Sequence, residues 1–264
     1  MIEYERLCTQ VCDVAKQAGD FIRQEAGAFS AKSVEIKGIH NFVTYVDKGA
    51  EELIVGRLQK ILPEAGFIAE EGTNTARGER FDWVIDPLDG TTNFIHGLPP
   101  YAVSIGLLED NSPVLGVVYE ITHDECFYAW KGGPAFLNGK EIHVSDRTTV
   151  HDALIATGFP YCDYHLMRPY INCLEYFLQN SHGVRRLGSA AVDLAYVACG
   201  RFEAFYEYSL SPWDVAGGAC ILQQAGGRLS DFTGGDNFIF GKELVAANSA
   251  IFGEFLGTVQ KFLQ

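Results

Sequence analysis

Apolar positions recur along the chain with two different periods, and the period changes at definite points. Leu7, Val11, Val14, Ala15, Ala18, Phe21 and Ile22 fall at helical spacing, so residues 3–26 read as one long amphipathic helix. A second helix is expected from near Asp47 within "VTYVDKGAEELIVGRLQKILPEAG", ended by Pro63 and Gly66. "FIAEEG" (67–72) and "FDWVID" (81–86) are short apolar runs that read as strands, each finishing on an acid or two. From Tyr101 to Ile142 the pattern alternates and is rich in Val, Tyr and Phe. Turn residues cut it at "EDNSP", "THDE" and "LNGK", which predicts an antiparallel meander with Asn138-Gly139 at a hairpin turn.

Beyond residue 150 strands and helices take turns. "ALIAT", "GVRRLG", "RFEAFYEY", "GRLSDF" and "LVAAN" read as strands. "YHLMRPYINCLEYFLQ", "SAAVDLAYVACG", "SPWDVAGGACILQQAG" and residues 249–263 read as helices. This is an α/β (α+β) pattern of sheets covered by helices. The change of texture divides the chain into residues 1–150 and 151–264, and a cleft between two such halves is a favoured binding site.

The 264 residues are enough for one large domain or two closely joined halves. At 47% hydrophobic and 20% charged, the composition is that of a globular protein. No apolar run approaches the roughly 20 residues that span a bilayer. The N-terminus is acidic and amphipathic, unlike a signal peptide, and a cytoplasmic location is expected. Seven cysteines are scattered at 8, 12, 126, 162, 173, 199 and 220 with no C-x-x-C, which suggests free thiols in a reducing compartment. The seven histidines are dispersed too, with no H-x-x-x-H. A net charge of −14 disfavours nucleic acid and anionic membranes as direct partners. An anionic substrate would need the local charge reversed, and bound cations are the usual device.

Several acids then stand out. In "WVIDPLDGTTNF" (83–94) a buried run stops at Asp86, and Asp89 follows after a rigid Pro87 and Leu88. Each has an ordinary reading: Asp-Pro and Asp-Gly favour turns, and Asp89 could cap a helix opening at Gly90-Thr91-Thr92. Glu70-Glu71 could be a solvated strand end. Asp214 in "SPWDVAGG" fits a helix start, with Ser211 as N-cap and Pro212 at the first helical position. Together the ordinary readings fall short, because converging carboxylates repel unless cations lie among them. Carboxylates without His or Cys suit hard cations such as Mg²⁺. A Gly-Thr-Thr entry into a helix also offers N–H groups to a phosphate.

"AEEG" (69–72), "DPLDGTTNF" (86–94) and "WDVAGG" (213–218), in that order, resemble the three signatures of the inositol monophosphatase family of magnesium-dependent, lithium-sensitive phosphomonoesterases. "NFVTYVDKGAEE" (41–52) is similar to the family's D-L-V-T-x-x-D segment, with Asn41-Phe42 in place of Asp-Leu. "RRLGSAAVDLAYVACG" (185–200) and the spacing from Glu207 to Asp214 match as well, so the resemblance covers nearly the whole chain. It implies a layered α-β-α-β-α fold and a homodimer. It implies that Glu70, Asp86 and the Leu88 carbonyl hold one Mg²⁺, and that Asp86, Asp89 and Asp214 hold a second. Some members bind a weaker third ion near Glu70. Thr91 and Asp47 would form the dyad that takes a proton from the attacking water, with Glu70 also at the catalytic centre. Gly90 and Thr91 would meet the phosphate, and Asp89 would bind substrate as well as metal; Gly188, Ser189, Ala190 and Glu207 would line the alcohol side. Two such ions lie about 3.5–4 Å apart and stabilise the entering and leaving oxygens.

The expected reaction is hydrolysis of a small phosphorylated polyol or sugar, myo-inositol monophosphate foremost. Haloacid-dehalogenase phosphatases also carry an acid pair before Gly-Thr, but with one residue between the acids where this chain has two. Phosphoadenosine phosphatase, fructose-1,6-bisphosphatase and histidinol-phosphatase share the signatures and stay open as alternatives. So does a catalytically silent binding module on the same scaffold. Alternation in "FEAFYEYSL" puts Phe202, Ala204, Tyr206 and Tyr208 on one face and Glu203, Phe205 and Glu207 on the other, which alone makes Glu207 an ordinary solvent-facing acid.

Overall fold

The N-terminal apolar stripe forms a single helix, α1 (Tyr4–Ala26), with Leu7, Val11, Val14, Ala15, Ala18 and Ile22 buried. The computed structural model describes residues 3–26, 34–38, 41–161 and 163–264, so the expectation for Cys162 lies outside the described residues. A short antiparallel hairpin, β1 (Val34–Gly38) and β2 (Asn41–Thr44), leads into α2 (Tyr45–Ile61). This helix begins two residues before Asp47, because Thr44 caps it. The Thr44 hydroxyl accepts from the Val46 N–H, and the Asp47 carboxylate accepts from the Thr44 N–H at 2.8 Å.

Seven strands then build the first sheet in simple order: β3 (Gly66–Ala69), β4 (Phe81–Asp89), β5 (Ala102–Glu109), β6 (Ser112–Glu120), β7 (Glu125–Trp130), β8 (Ala135–Leu137) and β9 (Lys140–Ile142). Only β3 and β4 run parallel; the rest is the expected meander. Asn138 and Gly139 both have positive φ, the conformation a tight two-residue hairpin needs. A short helix, α3 (Thr91–Ile95), interrupts the chain between β4 and β5.

The second sheet has the order β11-β10-β12-β14-β13, from β10 (Leu154–Thr157), β11 (Gly183–Arg185), β12 (Ala204–Tyr208), β13 (Gly227–Ser230) and β14 (Glu243–Asn248). Its helices are α4 (Met167–Asn180), α5 (Ala190–Ala198), α6 (Pro212–Gln224) and α7 (Phe252–Leu263). Three apolar cores separate five layers. Trp83, Ile85 and Ile105 pack with α1 and α2, while Val84, Ala102 and Phe127 face α5 and α6 on the other side of the same sheet. Across the second sheet, Phe205 faces α5 and α6, and Tyr206 and Tyr208 face α4 and α7. The architecture is therefore α-β-α-β-α. Among the described residues no helix is long and apolar enough to cross a membrane.

Phe202 departs from expectation. It packs in the middle-layer core with Phe205, not with Tyr206 and Tyr208, because β12 begins only at Ala204 and the alternation does not extend back to it. Burial of β12 on both faces also removes Glu207 from solvent; it is 9% exposed. One close approach positions the site. A Cβ on Gly116 would lie 2.1 Å from the Gly217 carbonyl oxygen, and one on Gly106 would lie 2.9 Å from the Ala216 Cβ. These glycines let α6 settle directly on β5 and β6. The Ser104 hydroxyl donates to the Trp213 carbonyl at 3.3 Å, so the first turn of α6 is held beside β5.

Candidate active site

The two acids of β4 are brought to one side by a bulge. Asp86 pairs with Ser104 and Asp89 with Ala102, so two residues of β4, Pro87 and Leu88, stand opposite the single Val103. In a regular strand, residues three apart point to opposite faces; the extra residue cancels that reversal. The Asp86 carboxylate accepts the Leu88 N–H at 2.9 Å, which fixes the turn. Parallel pairing with β3 places Glu70 alongside, its N–H donating to the Ile85 carbonyl at 3.2 Å. The loop after Glu70 hangs from α2: the fully buried Glu51 accepts the N–H groups of Glu71 and Thr73 at 2.7 and 2.8 Å.

Asp89 does cap a helix, but not the one expected. Gly90 is the N-cap of α3, with φ of 93° and no side-chain cap bond. The Asp89 carboxylate instead reaches α5 in the other half of the chain, accepting from the Ser189 hydroxyl at 2.6 Å and the Ala191 N–H at 2.8 Å. Asp214 has the helix-start role read from the sequence, accepting the Ser211 N–H at 2.7 Å. It also meets the other acids: Asp86, Asp89 and Asp214 each offer an oxygen, all within 4.8 Å of one another.

Such a group resists ionisation. Burial, then the charges of Glu70, Asp89 and Asp214, pushes the Asp86 carboxyl well above the usual carboxylate range. Burial, and then Asp89, raises Asp214 to about 7. Burial raises Asp89 to about 6, against the bonds from Ser189, Ala191 and Ala190 and the charge of Arg186. The donors are all oxygens and include no His or Cys, so the residues fit a hard divalent cation.

A linkage result follows from the raised values. A carboxyl whose folded-state pKa exceeds its unfolded one contributes stability below the ordinary carboxylate range, and that stability is lost as pH rises through the folded-state value. For Asp89 and Asp214 the loss runs up to about 6 and about 7. Metal-free protein should therefore melt at a lower temperature at about pH 8 than at about pH 5. Mg²⁺, favouring the ionised cluster, should restore most of the difference. Melting curves at both pH values, in EDTA and in Mg²⁺, check this; equal curves in EDTA would mean the acids ionise without strain.

Thr91 and Asp47 are in contact, the Thr91 hydroxyl lying 3.0 Å from Asp47 Oδ1 and 3.0 Å from the Leu88 carbonyl oxygen. A hydroxyl has one proton, so the two acceptors share it. Asp47 is 1% exposed, and its Oδ2 accepts from the Thr44 hydroxyl at 2.5 Å. Burial raises its pKa, opposed by the bonds from Thr44 and Thr91. Asp47 stands behind Thr91, outside the cavity wall.

The other expected residues, from Glu70, Asp86, Leu88 and Asp89 through Gly90 and Thr91 to Gly188, Ser189, Ala190, Glu207 and Asp214, line one cavity of about 300 Å³. Its two sides are stapled by Asn93, whose amide donates to the carbonyls of Pro100 and Leu187, both at 2.8 Å. Glu207 lies over Gly158, where a Cβ would come within 2.1 Å of the carboxyl group. Sequence reasoning missed Glu51, Asn93, Gly158, Tyr161, Arg186 and Asp193. The acidic motifs themselves contain no Lys or Arg, as expected, yet Arg186 lines the same cavity. No local pattern marks these residues: Glu51 and Asn93 lie within α2 and α3, Asp193 in the first turn of α5, and Gly158, Tyr161 and Arg186 in loops.

Comparison with known proteins gives the family. The model of the inositol monophosphatase family matches residues 3–264. An inositol-1-monophosphatase of Mesorhizobium japonicum is 38% identical over 256 residues, covering 97% of this chain and 96% of that protein. The Nus factor SuhB of Pseudomonas aeruginosa is 41% identical over 254 residues, 94% of each. The solved structure of inositol monophosphatase from Anabaena superposes with a TM-score of 0.86 at 30% identity, covering 99% of this chain and 98% of that one. The chain belongs to the inositol monophosphatase family.

Proposed function

We propose that this protein is a Mg²⁺-dependent phosphomonoesterase that hydrolyses a polyol monophosphate, myo-inositol monophosphate foremost, by direct attack of water. The observation that carries the reading is the convergence of Asp86, Asp89 and Asp214 beside the Thr91–Asp47 pair. Glu70, Asp86 and the Leu88 carbonyl would hold one Mg²⁺, and Asp86, Asp89 and Asp214 a second, with a weaker third near Glu70. Bound there, the ions supply Lewis-acid charge to the phosphoryl group and lower the pKa of water.

The chain's own groups do the rest. With its proton donated to Asp47 Oδ1, the Thr91 hydroxyl oxygen faces the cavity as an acceptor for the attacking water. Asp47 then takes a proton through Thr91; its raised pKa makes it a better acceptor than an exposed carboxylate. Gly90 keeps the turn open, since a Cβ there would lie 3.0 Å from the Pro100 carbonyl oxygen. Glu207, on the alcohol side, would accept hydroxyl hydrogen bonds. The active form is proposed to be a cytoplasmic homodimer sensitive to lithium, with the cleft where the halves 1–150 and 151–264 meet.

The test is phosphate release in Mg²⁺ from inositol 1-phosphate, fructose 1,6-bisphosphate, phosphoadenosine phosphate and histidinol phosphate. The highest kcat/KM should fall on inositol 1-phosphate. Preference for another ester would reassign the substrate, and no release from any would favour a binding module. One observation favours such a second reading: the Pseudomonas relative bears the name of a Nus factor rather than that of a phosphatase. A binding role on this scaffold would survive the loss of Asp86, whereas hydrolysis would not.

A further inference from the structure

We infer that Asp193 reads a substrate hydroxyl next to the one Glu207 would take, making the site selective for polyols with two neighbouring free hydroxyls. This rests on the phosphatase reading above. Asp193 lies in the first turn of α5, is 1% exposed and lines the cavity. Its Oδ1 is buried with no hydrogen-bond partner. A first-turn acid ordinarily serves the free N–H groups of its helix, but here that need is already met. Asp89 takes the Ala191 N–H and Ser189 Oγ takes the Val192 N–H. The Asp193 N–H itself donates to the Ser189 carbonyl. Oδ1 thus does nothing for the helix, and burying an unpartnered polar atom is expensive.

The surroundings select the partner. Glu207 and Arg186 line the same cavity. Burial, then the charges of Glu207 and Asp89, pushes the Asp193 carboxyl well above the usual carboxylate range, and Arg186 opposes them. An ionised second phosphate has only acceptors and offers no donor to the free Asp193 Oδ1. An ammonium group offers only donors and would leave the Arg186 guanidinium without an acceptor. A hydroxyl both donates and accepts, so it can give its proton to a carboxyl oxygen and receive one from the guanidinium. Two carboxyls and one guanidinium on a common wall therefore suit adjacent hydroxyls of a neutral ring.

The experiment compares Asp193→Ala and Asp193→Asn with the parent on inositol 1-phosphate and on glycerol 2-phosphate, whose two free hydroxyls sit on non-adjacent carbons. Asp193→Ala should raise the ratio of the two KM values about tenfold, the loss of a hydrogen bond to a charged or polar group. Asp193→Asn, which keeps an acceptor oxygen, should recover most of it. Neither variant should melt below the parent, since an unpartnered buried carboxyl is removed. A ratio within about twofold of the parent's, with a lowered melting temperature, would make Asp193 structural and overturn the inference. A parent that hydrolyses neither ester would overturn the phosphatase reading and this inference with it.

Discussion

Asp86→Asn should lower Mg²⁺-supported phosphate release by about 10³-fold or more, the scale of several kcal/mol of lost charge stabilisation. Asp86 is the acid on which Glu70, Asp89 and Asp214 all act, so it is the one whose charge two cations would share. An amide removes that charge and can turn N–H donors toward the ions. The same change should make metal-free protein melt higher, because the mutual repulsion of the buried acids is relieved, while the stabilisation by Mg²⁺ shrinks. The alternative is that Asp86 only holds the turn by accepting the Leu88 N–H. Asparagine can accept that bond equally well. A variant with near-parental activity would therefore favour the turn.

The second large effect concerns the proton path. Thr91→Ala and Asp47→Asn should each lower kcat about 10²–10⁴-fold, the usual range for a positioned acid–base group. Threonine alone is a poor base, and Asp47 reaches the cavity only through it. The double variant should lose little more than the worse single one, as expected of groups that act as a unit. Thr91→Ser should keep most activity. Both Asp47 oxygens accept bonds, Oδ1 from Thr91 and Oδ2 from Thr44 at the start of α2, and asparagine keeps only one acceptor, so the replacement should cost about 1 kcal/mol of stability as well. Melting temperatures measured beside kcat separate the two contributions. Losses that multiply cleanly in the double variant would show that Thr91 and Asp47 act independently.

What could be read from the sequence was what depends on near neighbours along the chain. The helical period gave α1, the alternation and turn residues gave the meander through Asn138-Gly139, and Ser211-Pro212 gave the start of α6. The acids themselves stood out because they ended apolar runs. Their partners did not, since those are set by which elements the fold stacks together. Asp89 shows this most clearly: local capping logic pointed to the helix immediately after it, whereas its carboxylate serves α5. Glu207 looked solvent-facing because alternation tells the two faces of a strand apart but not whether a second layer of helices covers the other face. Phe202 was placed on the wrong face because alternation was carried past the start of β12. Gly158 and Arg186 lie in loops whose residues have no periodicity, and their meaning comes only from Glu207 and the cavity they share.

The most direct measurement is the initial rate of phosphate release from inositol monophosphate by the unaltered protein, first in Mg²⁺, then in excess EDTA, then with Mg²⁺ restored. The convergence of Asp86, Asp89 and Asp214 predicts turnover in Mg²⁺, its near-complete loss in chelator and its return on adding the metal back. Undiminished release in excess EDTA would contradict a catalytic centre built on those three carboxylates.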